Sequence, residues 1–324
     1  MTTALATTTA AAIAARRFDT SILAGTKSPN TIEQYKMHFA AYCDFAGSFA
    51  DAMQPATLAR WRQHLYENGY TLKDGTVKQY SVNAINQRLA AIRGVMVEAA
   101  QQGYITHQVA DEFKHVKGLK QVANKDRRSQ HARTPITPAQ MRAICDQPNT
   151  DTLAGMMHRA FLLTLAGCGM RISEAVTLTM LQIRWETDEE TGKSGWVVDI
   201  AGKNKTDAEP RALSNEAYSA IQAWLRVRPV DSEYIFTGFA GRGDRDPSTQ
   251  PINRVSAWEM VKRYADRAGL ANVKPHDFRR FVGTQLAKKD IRLAQKQLGH
   301  ARLETTASHY VLDGAPVGAT EGLF

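Results

Sequence analysis

The side chains best placed to do chemistry in this 324-residue chain are cationic and phenolic. In chain order they are Arg171, just after the glycine break Gly167-Cys168-Gly169, then Lys205, then His276 and Arg279 of His-Asp-Phe-Arg, His300 after Leu298-Gly299, and Tyr310. Other chemistries lack their motifs. There is no His-Glu-x-x-His, no paired-cysteine zinc pattern, no carboxylate constellation for two metals, no GxxxxGK[ST] and no GxGxxG after a strand. A phosphodiester cleaved by a side-chain nucleophile passes through a crowded transition state with negative charge on its nonbridging oxygens. A site working without metal, nucleotide or cofactor must meet that charge with fixed cations. Arg171 and Arg279 can each offer a planar fork of donors to phosphate oxygens, and they stay charged at any working pH. Tyr310 adds a phenol of ordinary pKa about 10, a weak nucleophile at neutral pH but a good leaving group, so a bond made by it is reversible.

These residues fall within five stretches in a set order: AGCGMRISEAVTL, GKNKTDAEPRAL, HDFRR, LGH and LETTASHY. Together they resemble the signature of the tyrosine recombinase family (phage integrases, Cre- and Xer-like site-specific recombinases), over most of residues 137–311. The helical N-terminal part is similar to that family's core-binding domain. The resemblance implies a mixed, mainly α fold. It pairs an N-terminal helical core-binding (SAM-like) domain with an α/β catalytic domain carrying a small antiparallel sheet. It implies that Tyr310 attacks the scissile phosphate, giving a 3′-phosphotyrosine and a free 5′-hydroxyl, with the bond energy kept for religation without ATP. His276 is then a hydrogen-bond donor and candidate general base, and His300 a donor to the same oxygens. Lys205 is the candidate general acid for the departing 5′-oxygen, because Lys205-Thr206, Pro210-Arg211 and Leu213 fit the family's K-T…PR…L run; Lys203, two residues away, is the alternative. Glu174 matches an acidic position that orients the active site, a plain i,i+3 ion pair with Arg171 being the other reading. Phe278 stands where the family usually has Leu.

No cofactor and no metal are implied. The implied partner is double-stranded DNA with short inverted-repeat core sites, held by a homotetramer that exchanges strands through a Holliday junction. The service would be integration, excision or resolution of mobile DNA or replicon dimers, with an accessory or directionality factor as a further candidate partner. A type IB topoisomerase or telomere resolvase would share the chemistry, and a DNA-binding regulator is the alternative of another class.

Elements must position these groups. Ile32, Tyr35, Phe39 and Tyr42 recur at helical steps behind a candidate Asn30/Glu33 capping box; Leu58, Trp61 and Leu65 mark a second helix from Pro55. A third, from about Val82 to Gln102, faces Ile85, Leu89, Ile92 and Met96 inward. Its other face carries Asn83, Gln87 and Arg93, side chains able to meet base edges in a groove, a solvated helix surface being the other reading. A basic linker follows, with Lys125, Arg127 and Arg128 suited to a phosphate backbone. Thr137-Pro138 with Gln140 starts a new helix and a new domain. Beyond it come short strands near Leu181–Trp185, Trp196–Ile200 and Arg211–Leu213, then helices near 215–227, 253–268, 276–288 and 291–298. The expected divisions are a disordered Ala/Thr tail over 1–27 (a short docking helix being the alternative), a core-binding domain over 28–117, a linker over 118–136, a catalytic domain over 137–311, and a C-terminal tail over 312–324 whose Leu323 and Phe324 are candidates for docking to a neighbouring subunit.

Charge agrees with a polyanionic partner. Lys plus Arg number 41 against 32 Asp plus Glu, a formal +9, and residues 1–133 hold 17 basic against 10 acidic side chains. Cys43, Cys145 and Cys168 are too sparse for a disulfide framework, which fits a reducing cytoplasm; a bacterial or phage, nucleoid-associated location is expected. Neither a secretory leader nor an apolar run long enough to span a membrane is recognised.

Overall fold

Proline occupies the first turn of four helices, at Pro29, Pro55, Pro138 and Pro275, where its missing N–H forfeits no helical bond. The structure, a computed structural model, describes residues 17–121, 136–189, 191–201, 207–239 and 247–310, with the backbone alone at 305 and 308–310. The chain divides into two units, residues 1–133 and 134–324.

The first unit is helical: α1 (Pro29–Ala46), α2 (Phe49–Ala52), α3 (Pro55–Asn68), a hairpin of β1 (Tyr70–Thr71) and β2 (Val77–Lys78), α4 (Val82–Gln101) and α5 (His107–His115). The helical periodicity holds, with Leu58 and Trp61 of α3 and Ile85, Leu89, Ile92 and Met96 of α4 closed from solvent. Tyr42 joins them and donates its hydroxyl to the Ala52 carbonyl at 2.9 Å. Two expectations change. First, α1 starts at Pro29 with Ser28 as its N-cap, so Asn30 and Glu33 lie inside the helix and form no capping box. Second, residues 17–27 are not a loose tail. Phe18, Ile22 and Leu23 are buried, Phe18 lies among the rings of Phe39, Phe49 and Tyr104, and Asp19 caps the 3-10 turn Thr20–Leu23 through Ser21 N–H at 2.7 Å. Three large apolar side chains within six positions bury enough surface to fix this segment. Residues 1–16 lie outside the described residues.

The second unit contains α6 (Pro138–Cys145), α7 (Leu153–Cys168), α8 (Ile172–Val176), β3 (Ile183–Thr187), β4 (Ser194–Ala201), β5 (Ala208–Leu213), α9 (Asn215–Val227), β6 (Thr237–Phe239), β7 (Pro247–Pro251), α10 (Arg254–Arg267), α11 (Pro275–Ala287), α12 (Ile291–Leu298) and α13 (Leu303–Tyr310). Strands β3-β4-β5 form an antiparallel sheet with Trp185 opposite Trp196 and Val198 opposite Arg211; β6 and β7 pair separately. The expected Thr137/Gln140 capping box is present. Phe161, Leu162 and Leu165 of α7 form the core with Trp224, Phe236 and Phe278, and Trp224 Nε1 donates to the Ile235 carbonyl at 2.8 Å. Phe278 is thus a packing residue, fully enclosed. Helices around small antiparallel sheets are the fold class the sequence implies. Among the described residues no helix is long and apolar enough to cross a membrane.

Candidate active site

The site begins where α7 ends. Gly169 takes a left-handed φ of 73° and closes the helix by donating to the Leu165 carbonyl at 2.9 Å. A Cβ there would lie 3.0 Å from Val282 Cβ and 3.3 Å from a Leu298 methyl, so glycine also lets α11 and α12 approach. Two residues on, Arg171 stands at the N-cap of α8. Glu174 reaches back to it, one carboxylate oxygen accepting the Arg171 backbone N–H at 2.7 Å and the other accepting Arg171 Nη1 at 2.6 Å. From β5, Arg211 donates Nη1 to Glu174 Oε2 at 3.2 Å. Both readings of Glu174 therefore meet in one geometry: it pairs with Arg171 at i,i+3 and also joins it to a second arginine. The Arg171 side chain is 36% exposed and that of Arg211 0%, so of the two Arg171 is the one presented to solvent.

Helix α11 brings the next residues. Asp277 accepts the Lys274 backbone N–H at 2.9 Å and fixes the first turn, which sets His276, exposed, three residues before Arg279. Arg279 is 1% exposed. Its Nη1 donates to the Gly169 carbonyl at 2.9 Å and its Nη2 to the Leu298 carbonyl. It thereby ties the break that leads to Arg171 to the end of α12 that leads to His300. His300 in turn bonds Thr306 Oγ1 through Nδ1 at 3.0 Å, linking the Gly299 turn to α13.

Gln297 fastens these parts. Its amide donates to the Cys168 carbonyl at 2.7 Å and the Ala212 carbonyl at 2.8 Å, and accepts the Ala212 N–H at 3.0 Å. Cys168 itself is buried among the same elements, which pushes its thiol up to about 12 and leaves it a packing group. Two guanidiniums, Arg171 and Arg211, share the Glu174 carboxylate, a trio with a positive excess that suits an anionic centre.

Arg171, Glu174, Arg279 and His300 are thus brought together, with His276 one turn from Arg279. Tyr310 is the last residue of α13, which packs against α11 and α12. Lys205 and Lys203 lie outside the described residues, as do Lys125, Arg127 and Arg128. Sequence reasoning missed Gln297 and treated Arg211 only as part of a motif run. The signal for Arg211 is strand alternation, which puts it on the same inward side of β5 as Leu213. Among the described residues no three His, Cys, Asp or Glu side chains gather as metal ligands do.

In the first unit Asn83 and Gln87 are exposed on α4, bonded to Gln121 at 2.6 Å and Gln34 at 3.2 Å. Arg93 departs from the expected base-reading face. Its Nη2 donates to the Val116 carbonyl, its Nε is buried, and burial lowers its pKa. The cause is a strap, residues 116–121, laid over α4. Asn86 bonds both the N–H and the carbonyl of Leu119 at 2.8 and 2.9 Å, and Arg62 donates to the Lys117 carbonyl at 2.5 Å. The start of the expected linker is fastened by the face expected to meet base edges in a groove.

The model of the phage integrase family matches residues 135–314, a span that holds every candidate catalytic residue from Arg171 to Tyr310. Tyrosine recombinase XerA of Thermococcus kodakarensis is 25% identical over 300 residues, covering 89% of this chain and 87% of its own. Tyrosine recombinase XerD of Xanthomonas axonopodis pv. citri is 31% identical over 187 residues, covering 53% of this chain and 56% of XerD, about half of each. Among solved structures, XerH recombinase bound to palindromic difH substrate in a post-cleavage complex aligns with TM-score 0.61 at 18% identity, covering 91% of this chain and 79% of that one. The Tn1549 transposon integrase with transposon right-end DNA gives 0.59 at 18% identity, covering 92% and 93%. The likeness to these two structures is one of fold.

Proposed function

Because this chain belongs to the phage integrase family, the tyrosine recombinases, we propose that it is a site-specific DNA recombinase that cuts and rejoins strands through a 3′-phosphotyrosine on Tyr310. One observation carries the reading. Arg279 bonds the Gly169 carbonyl, 110 residues away, and the Leu298 carbonyl, so cations from distant segments converge beside the helix that ends in Tyr310. Such a cluster suits charge building on a phosphodiester at its transition state.

In this scheme Arg171 and Arg279 hold the nonbridging oxygens. His276 donates a hydrogen bond there and takes the tyrosine proton, His300 donates to the same oxygens, and Lys205 protonates the 5′-oxygen as it leaves. The phenolic leaving group lets a DNA hydroxyl reverse the step, so strand exchange runs without metal or ATP. The partner is double-stranded DNA carrying short inverted repeats, with Asn83 and Gln87 towards a groove and Lys125, Arg127 and Arg128 towards the backbone. Support for DNA as partner comes from the Tn1549 transposon integrase, which shares the fold and is solved in complex with transposon right-end DNA. A homotetramer passing through a Holliday junction completes the scheme, for integration, excision or resolution, with room for an accessory factor.

Covalent trapping tests it. Nicked, labelled duplexes spanning inverted repeats from the neighbourhood of its own coding sequence are incubated with the protein and denatured. The expected result is a protein–DNA adduct that disappears in Tyr310→Phe while DNA binding persists. Binding without an adduct contradicts the reading.

A further inference from the structure

Arg211 takes no part in the steps above, yet it is 1% exposed and lies against the site. Its Nη1 reaches Glu174; its Nε and Nη2, both buried, find no hydrogen-bond partner among the described residues. A buried cation with unmet donors is costly, and a role in folding alone explains it poorly, since a hydrophobic side chain of similar volume is often as stable or better. The turn before His300 is shaped around it. Gly299 has a φ of 60°, and a Cβ there would come 2.7 Å from Arg211 Nη2.

The arrangement of charge shows what Arg211 does. Glu174 is 14% exposed and stands between two guanidiniums, Arg171 on the solvent side and Arg211 on the buried side. Without Arg211, Oε2 would be held by the Arg171 backbone N–H alone and could turn onto the Arg171 fork, neutralising it and competing with any phosphate for the same donors. Arg211 holds Oε2 from behind, beside the Arg171 backbone N–H, so one side-chain nitrogen of Arg171, Nη1, is engaged on Oε1 and the trio keeps a net positive charge. We infer that Arg211 is a positioning residue that draws the Glu174 carboxylate inward and so keeps the Arg171 guanidinium available to the scissile phosphate. This rests on the recombinase reading. Arg211 touches no reacting atom and acts through Glu174.

The test is the rate of adduct formation on a nicked suicide duplex at saturating DNA, with duplex affinity measured alongside. Arg211→Met removes the charge and keeps much of the volume. It is expected to slow the adduct by about thirtyfold while affinity changes by less than about threefold. Adding Glu174→Gln removes the competing charge, so Arg211→Met/Glu174→Gln should recover at least about tenfold over Arg211→Met. A purely structural role predicts a double variant no faster than the single one, and that result, or an unslowed Arg211→Met, overturns the inference. Should Arg211→Met fail to fold, Arg211→Lys decides. It keeps the buried charge and is expected within about fivefold of the unaltered rate, whereas a folded Arg211→Lys as slow as Arg171→Ala contradicts the inference. The two readings fail separately. An unaltered protein that forms no adduct takes both down, and a Tyr310-dependent adduct indifferent to Arg211→Met removes only this one.

Discussion

A Cβ on Gly299 would lie 2.7 Å from Arg211 Nη2 and 3.3 Å from the carbon of the same guanidinium. The left-handed φ of 60° makes the same position costly for any other residue. Gly299→Ala therefore meets two penalties, about 1 kcal/mol or more for the backbone and a displacement of a side chain enclosed on every side. Chemical denaturation should show a loss of about 2 kcal/mol or more, with slower adduct formation as His300 shifts. A midpoint equal to that of the unaltered protein contradicts this account of the turn.

Arg279 holds two carbonyls on separate elements, and its loss leaves both buried and unpaired. Arg279→Ala is expected to cost about 2–4 kcal/mol of stability and to slow cleavage by about two to three orders of magnitude, the scale for removing one donor from a developing oxyanion. Stability comes from denaturant titration and cleavage from single-turnover trapping. A variant that loses stability and cleaves normally would show that Arg279 is structural only.

Acid should loosen the contact between α6 and α9. The Arg142 hydrogen bond holds the Glu216 carboxyl below its ordinary value of 4.5, and Arg159 stands 3.7 Å away. A lowered acid stabilises the fold above its unfolded pKa, and that contribution disappears as the pH falls through the folded value. The side chains are 52% and 41% exposed, so solvent screening keeps the effect to about 0.5 kcal/mol or less. The melting temperature of Glu216→Gln should lie slightly below that of the unaltered protein at neutral pH and converge with it in acid. A gap that persists unchanged below pH 4.5 contradicts the assignment.

The strap over α4 gives a local prediction. Asn86→Ala unpairs both backbone groups of Leu119, and Gly118→Ala would bring a Cβ 2.5 Å from Asn86 Oδ1. Either change should speed amide hydrogen exchange at Leu119 by about tenfold, and Arg93→Ala should do the same around Val116. Unchanged exchange in all three variants would mean that the strap is held by other contacts.

Much of this arrangement was legible in the sequence, for reasons that differ residue by residue. The cores of α3 and α4 follow from apolar side chains at three- and four-residue spacing, which depends on nothing distant. The Arg171, Arg279 and His300 stretches are legible as an ordered set, each beside a glycine break or a helix start that local chemistry explains. Phe18, Ile22 and Leu23 were hidden because the Ala- and Thr-rich run before them dominates that end of the chain. Helix α5 is polar, burying Ala110 and Phe113 but little else, and β1 and β2 are too short to show alternation. Arg93 shows the limit of a helical face: periodicity gives its direction, and only the tertiary structure reveals what covers it. Arg211 is the same problem inside the sheet, where its partner lies 37 residues away.

The central claim is that Tyr310 becomes covalently joined to DNA. The most direct measurement is mass spectrometry of the protease-digested adduct, locating the attached nucleotide on one residue and identifying the phosphate end. The account predicts a 3′-phosphate esterified to Tyr310, with the released strand carrying a 5′-hydroxyl. Attachment at another side chain, or a 5′-phosphate linkage, would contradict it.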